Sequence, residues 1–252
     1  MYLPIFLVII YSFNENRLSS VWSGFSLRWY TELFRDRSMF EALRNSAVLA
    51  LTSAALAAVI GTLGAVGMSR ANLRGAAAME YLAALPIMVP EIILGMVFLA
   101  FFSLIRLPFG MVTLVIAHTA FCVPYILLLV KARLAGMDKS YVEAARDLGA
   151  GELRAFFDIT VPLIIPAVIS GMLLAIAMSL DDVIISVFVT GVNTNTMPLK
   201  IYTQIKTGVT PKTNALCTIL FLFTILMGGL SSLLSNGGLR RRKQSSSKGE
   251  FK

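Results

Sequence analysis

Six apolar runs separated by polar, charge-bearing stretches set the pattern of this chain: about Met1 to Phe13, Ser46 to Met68, Tyr81 to Leu104, Met111 to Val130, Pro162 to Val189 and Ala215 to Leu234. As helices rising ~1.5 Å per residue, the last five are long enough to cross a ~30 Å hydrocarbon core. The first is too short. Without an Arg-rich leader or a small-residue cleavage site, it reads as the latter part of a first span, left by a late start or a truncated helix. The run from Pro162 to Val189 would extend about 42 Å if wholly helical, more than one untilted crossing requires, so a break is expected inside it. Ser179 and Asp182 have the S-x-x-D spacing of a cap that would start a half-helix there. In the third run Pro86 and Pro90 precede Glu91, which predicts a kink where the acid emerges. Gly61, Gly64 and Gly67 give the second run a small-residue face suited to a closely packed partner helix.

The polar stretches carry their own elements. Between residues 14 and 41 lies an aromatic-rich connection in which Trp29 to Phe40 predicts a short interfacial helix. Trp29 and Tyr30 there serve either as an aromatic anchor at headgroup depth or as cation-π partners of an amine. The passage from Ser140 to Pro162 is the most regular. Ser140 and Glu143 form an S-x-x-E capping box that predicts a helix from Tyr141, and Gly149 at C′ predicts its end. Tyr141, Ala145 and Leu148 share one face of that helix, with Glu143, Arg146 and Asp147 on the remainder. A second amphipathic turn, roughly Glu152 to Phe157, precedes Pro162.

Composition narrows the class. Hydrophobic residues make up 57% of the chain and charged ones 14%, the balance of a multi-span membrane protein. The net charge of +8 belongs to loops and tail, so nucleic-acid binding is not expected. Cys122 and Cys217 lie in apolar runs and read as small core residues, with no metal site or disulfide. His118, the lone histidine, reads as a hydrogen-bonded packing residue. Basic residues flank the second, fourth and sixth runs: Arg70 and Arg74, then Lys131, Arg133 and Lys139, then Arg240 to Lys252. They place those loops and the carboxyl terminus in the cytoplasm. Lys200, Lys206 and Lys212 on the opposite side are a mild exception. The basic tail beyond Asn236 reads as a disordered end held near anionic lipid.

Acids within the spans point to chemistry, because a carboxylate at the bilayer centre costs roughly 2.5 to 3.5 kcal/mol even on lenient scales. Glu91, Asp181 and Asp182 are the candidates, with Ser179 beside them. On a continuous helix Ser179, Asp182 and Ser186 share a stripe, while Asp181 points about 100° away. Either the aspartates cap a broken helix or pair with a cation across a subunit interface, or the acids line a path for a cationic solute. A flexible polyamine would set separate ammonium groups on separate carboxylates.

The passage 140–162 resembles the EAA loop of bacterial ABC importer permeases: Glu143, Ala144, Ala145, Gly149, Ile159 and Pro162 stand in register with E-A-A, three residues, G, nine residues, I-x-L-P, with Val161 at the usual Leu. The runs FSLRWY, HTAFCVPY, SLDDVIISVFVTG, MPLKIY and NALCTIL are similar to the permeases of polyamine ABC importers. This likeness spans nearly the whole chain before the basic tail. It departs in a short amino terminus and in Glu91, where the family has Asp. The resemblance implies an all-α membrane protein with six transmembrane helices in the type I ABC importer permease fold: residues 1–41 as first helix and periplasmic connection, 42–235 as permease core and 236–252 as cytoplasmic tail. It implies a bacterial inner-membrane location. Tyr141, Glu143, Ala144, Ala145, Asp147, Leu148 and Gly149 would form the coupling helix, and Trp29, Tyr30, Glu91, Ser179, Asp181 and Asp182 the polyamine (spermidine or putrescine) path. The implied partners are a homologous permease, two ATP-binding subunits and a soluble polyamine-binding protein. This chain has no Gly-Lys dipeptide and hence no phosphate loop, so ATP and Mg²⁺ would be bound by the partner ATPase, and the chain itself would need no cofactor and would not be an enzyme. The competing readings are another cargo, including an anion held by the outer lysines, and an intramembrane enzyme with an Asp181–Asp182 dyad.

Overall fold

The computed structural model describes residues 3–16, 21–70, 76–138, 140–222 and 225. Its elements are α1 (Leu3–Tyr11), α2 (Arg28–Arg35), α3 (Arg37–Arg70), α4 (Ala76–Met88), α5 (Glu91–Leu104), α6 (Met111–Ala135), α7 (Ser140–Asp147), α8 (Glu152–Ala155), α9 (Val161–Asp181), α10 (Ile184–Val189) and α11 (Met197–Thr207), with a π-helical stretch at Phe156–Thr160 and a further helix over 211–222. No strand occurs among the described residues; the extended pairing is a single bridge between Asn14 and Phe25. Among the described residues, three helical stretches are long and apolar enough to cross a membrane, Arg37–Ser69, Met111–Ala135 and Glu152–Asp181. A fourth passes as a bent pair. The first and last of the six expected runs are described only as Leu3–Tyr11 and residues 211–222, and the basic tail lies outside the described residues.

The chain divides into two units, Met1–Arg37 with Thr203–Lys252, and Ser38–Tyr202. In the first, Asn14 is the hub. Fully buried, it donates from Nδ2 to Val21 O at 2.7 Å, accepts Ser23 N–H at Oδ1, and gives its carbonyl to the indole N–H of Trp29 at 2.6 Å. Phe13 stacks on Phe25 and tilts against Tyr30, whose hydroxyl shares a 2.7 Å hydrogen bond with Ser12 Oγ. The interfacial helix expected over Trp29 to Phe40 ends at Arg35 instead. Asp36 adopts an extended backbone, and α3 begins at Arg37, so the second span starts well before the apolar run does.

In the second unit α6 is the central post. Leu114, Ala117, Cys122, Ile126 and Val130 are buried along it, and α9 packs against its length. The glycine face of α3 meets this same helix: a Cβ on Gly61 would lie 3.1 Å from Ile126 Cβ and from the Val123 carbonyl. The expected partner helix is thus the chain's own α6, because the small residues let the two backbones close. The kink expected before Glu91 is far sharper than a kink. Residues Tyr81–Met88 and Glu91–Leu104 meet at 112°. Pro90 stands at φ −54°, ψ 135°, an extended N-cap that forbids the preceding turn from continuing as helix. On the far side, Phe188 of α10 lies against Gly95, where a Cβ would stand 2.5 Å from the ring. A bare glycine is what lets α5 and α10 touch.

The fifth run breaks as its length requires. Helix α9 stops at Asp181, Asp182 turns extended at ψ 127°, and α10 restarts at Ile184. Below α9 the helix does not begin cleanly at Pro162. Helix α8, the π-helical stretch and α9 run on without a loop, and Pro162 falls in the first turn of α9. Arg133 at the end of α6 donates to the Leu163 carbonyl at 2.9 Å, tying this entry to the central post.

Candidate functional site

Glu91 stands at the first position of α5, where its charge complements the helix dipole. Asp181 is the last residue of α9. The two elements, with Phe121 of α6, close around a cavity of about 300 Å³ lined also by Met178, Asp182, Val183, Ile184 and Ile185. Among the described residues that line it, three are acids and none is a base. Glu91 and Asp181 are exposed and accept no hydrogen bond from any described residue. No described basic residue pairs with either of them.

Asp182 lines the same wall but its carboxylate turns into the break. Oδ1 accepts the Ile185 N–H at 3.1 Å; Oδ2 accepts the Ser186 N–H at 2.9 Å and the Ser186 hydroxyl at 2.8 Å. Its side chain is only 5% exposed. It is therefore Asp182, not Ser179, that caps the restarted helix; the S-x-x-D spacing found the break but assigned the cap to the wrong member. Ser179, buried in the last turn of α9, instead binds His118 Nδ1 at 2.8 Å. The other ring nitrogen, Nε2, lies 3.2 Å from Ser186 Oγ and 3.3 Å from Asp182 Oδ2. His118 is fully buried, as a hydrogen-bonded packing residue should be. An aspartate dyad finds no support here, because the oxygens of Asp182 are committed to α10 and the imidazole, and no hydrogen bond joins Asp182 to Asp181.

The aromatic candidates are in the first unit. Trp29 is 4% exposed and its N–H is used by Asn14; Tyr30 is half-buried and held by Ser12. Both are packing residues of that unit. The lysines invoked for an anion are also engaged. Lys212 pairs with Asp36 within the first unit, and Lys200 donates to Ser38 within the second.

The bend at residues 140–162 forms a second candidate surface. Helix α7 begins at Ser140, one residue earlier than its capping box implied, and the side chain that receives an N-terminal N–H is Asp138, at 2.9 Å from Ser140 N. That bond holds the Asp138 carboxyl below its usual range. The other end is as expected. Gly149 takes φ +88°, the Ala150 N–H reaches Ala145 O and the Gly149 N–H reaches Arg146 O, the paired bonds of a Schellman stop. Arg146 bridges to Glu152 at 2.8 Å and so joins α7 to α8. No residue of α7 is buried. Tyr141 is 58% and Leu148 90% exposed, with Ala144 and Asp147 also open and Ala145 half-buried. Glu143, itself exposed, lines a cavity of about 600 Å³ with Lys131, Val142, Arg146, Glu152 and Thr160.

Residues 57–244 match the family described as binding-protein-dependent transport system inner membrane component. The chain belongs to this family. Among similar members, the spermidine/putrescine transport system permease protein PotC of Haemophilus influenzae is 39% identical over 235 residues, 93% of this chain and 91% of that one. The putrescine transport system permease protein PotI of Escherichia coli is 40% identical over 227 residues, 87% of this chain and 81% of that one. A solved chain of a bacterial ABC transporter that imports the polysaccharide alginate aligns over 92% of this chain and 89% of its own length, with a TM-score of 0.70 at 15% identity. A chain of the MetNI methionine ABC transporter, inward facing, aligns with a TM-score of 0.59 at 16% identity, covering 83% of this chain and 98% of that one. At such identities the structural likeness carries the fold alone, one that is helical throughout the described residues and shared with membrane chains of ABC transporters. For an inner-membrane component of a binding-protein-dependent transport system, a membrane location and a transport role follow.

Proposed function

We propose that this chain is one permease subunit of an ATP-driven importer of polyamines, spermidine or putrescine, and forms half of the translocation path with a homologous permease. The observation that carries the cargo is the cavity between α5 and α9, where Glu91 and Asp181 stand exposed with no base among the described lining residues. Two unneutralised carboxylates over the apolar walls of Phe121, Met178 and Ile184 suit a solute with separated ammonium groups and a methylene chain between them. Coulomb attraction across a cavity screened by apolar helices is several times that in water. The names of the PotC and PotI relatives support the same class.

Energy enters at the other surface. Two ATP-binding subunits, holding ATP and Mg²⁺, dock against the open face of α7, where Tyr141 and Leu148 otherwise offer apolar surface to water. Closure of those subunits moves α7. The Arg146–Glu152 bridge and the unbroken path through α8 and the π-helical stretch carry the motion into α9, whose far end bears Asp181. Alternating access follows if this rocking opens the acidic cavity first to a soluble polyamine-binding protein outside and then to the cytoplasm, the side of the carboxyl-terminal tail.

The test is ATP-dependent uptake of radiolabelled spermidine and putrescine by proteoliposomes holding the full complex with its binding protein. Glu91→Gln and Asp181→Asn together should cut uptake at least tenfold. Undiminished uptake by that double variant would remove the cavity from the path.

A further inference from the structure

We propose that His118 is a positioning residue of the solute path. Its buried imidazole clamps the break between α9 and α10, so that Asp182 serves as the internal counter-charge of the clamp and Asp181 alone of the adjacent pair meets the solute. The proposal rests on the polyamine-permease reading only for the identity of that solute.

One ring holds both sides of the break. Ser179, bound at Nδ1, belongs to the last turn of α9, whereas Ser186, at Nε2, belongs to the first turn of α10. With its proton on Nε2, the imidazole donates to Asp182 Oδ2 and accepts the Ser179 hydroxyl at Nδ1; the Ser186 hydroxyl then completes the shell of Asp182. Helix α10 has six residues, far fewer than an isolated helix needs to persist. It is pinned to α6 twice. His118 holds its start, and Thr113 Oγ1 donates to the Val189 carbonyl at its end, 2.7 Å away. Thr113 and His118 are both fully buried on the same post.

The adjacent aspartates are thereby given different work. An ammonium ion reaching Asp182 would have to displace the Ile185, Ser186 and His118 contacts that hold α10 in place. One reaching Asp181 displaces none. If the imidazole were removed, Asp182 would be a buried carboxylate short of a partner, the break would loosen, and Asp181 would lose its fixed direction into the cavity.

The experiment uses the full complex in proteoliposomes, with Cys122 and Cys217 replaced by Ala, and reads the rate of labelling by a cationic methanethiosulfonate. Single cysteines are placed at Asp181, Ser179 and Ser186, the last two being nearly isosteric exchanges. With His118 present, D181C should label at least tenfold faster than S179C or S186C, and spermidine should slow it. His118→Ala should raise labelling of S179C and S186C at least tenfold, and His118→Asn, which keeps a polar partner, should restore part of the protection. In uptake, His118→Ala and Asp182→Ala should each lose activity while their combination loses no more than the worse of the two, as members of one unit do. Labelling of S179C and S186C as fast as D181C with His118 intact, or losses that multiply in the double variant, would overturn the clamp. If the labelling contrast holds but spermidine leaves D181C unprotected, the clamp stands and the polyamine reading falls. Should the His118→Ala complex fail to assemble, the contrast measured with His118 present decides alone.

Discussion

Neighbouring acids in one apolar run are sorted by what lies behind them. On a continuous helix Asp181 and Asp182 would diverge by about 100°, but α9 ends between them, with Asp181 its last residue and Asp182 extended. What spacing left hidden was which of them would be occupied, because the deciding group, His118, lies 61 residues before Ser179 and 68 before Ser186. A lone histidine in an apolar run gives no sign of its partners until the helices are packed. Asn14, an undistinguished polar residue at the end of a short run, is the same case in the first unit. Gly95 is another. Its packing against Phe188 allows no Cβ, so Gly95→Val should overpack the α5–α10 contact and destabilise the protein by about 1 to 3 kcal/mol. A lowered melting temperature in detergent, partly restored by Phe188→Leu, is the expected reading.

Elements were legible where a length or a stop signal forced them. Twenty-eight residues between Pro162 and Val189 cannot be one untilted crossing, and the break came at the serine and aspartates that a cap requires. Gly149 ended α7 because a left-handed residue was needed there and no side chain is crowded near it. Gly149→Val should therefore act through the backbone alone, at about 1 to 2 kcal/mol, and misdirect α7. The expected outcome is ATP hydrolysis that persists while uptake falls. The start of α7 was misjudged because S-x-x-E is a weak pattern beside an aspartate two residues upstream. Asp138, with its carboxyl held below the ordinary range by the Ser140 N–H, supports the helix above its unfolded pKa and loses that support as pH falls through the folded one. Acidification through the lower carboxylate range should thus fray residues 140–144, seen as faster amide exchange after correction for the intrinsic rate; Asp138→Ala should abolish this pH dependence. The bend of 112° before Glu91 exceeded the kink that Pro86 and Pro90 suggested. Proline marks where a helix stops, whereas the angle is set by what the next helix packs on, here α10 through Gly95 and Phe188.

For the molecule as a whole, two surfaces lie at opposite ends of one continuous stretch of helix. The exposed face of α7 stands at one end, and the acidic cavity lies around the other, at the end of α9. Between them run α8, the π-helical stretch and α9 without an intervening loop. Such a path can transmit work only if both ends respond to each other, since coupling between two binding sites is reciprocal. Leu148→Asp, which places a charge on that exposed apolar face, should weaken co-purification of the ATP-binding subunit at least tenfold and, by the same reciprocity, remove the effect of ATP on the labelling of D181C. Fold class and the helical bend at residues 140–162 were readable in the sequence because hydropathy, run length and a glycine stop are local demands that the chain states where they act. The cavity was not, for it is assembled from α5, α6, α9 and α10, and no local pattern states how four helices meet.

The most direct measurement is the rate of ATP hydrolysis by the reconstituted complex with its binding protein, with and without spermidine or putrescine. Stimulation of at least fivefold by one of these amines, lost in the Glu91→Gln, Asp181→Asn double variant, is the predicted result. Hydrolysis indifferent to both amines, or stimulated equally in the double variant, would contradict a polyamine path coupled through this chain.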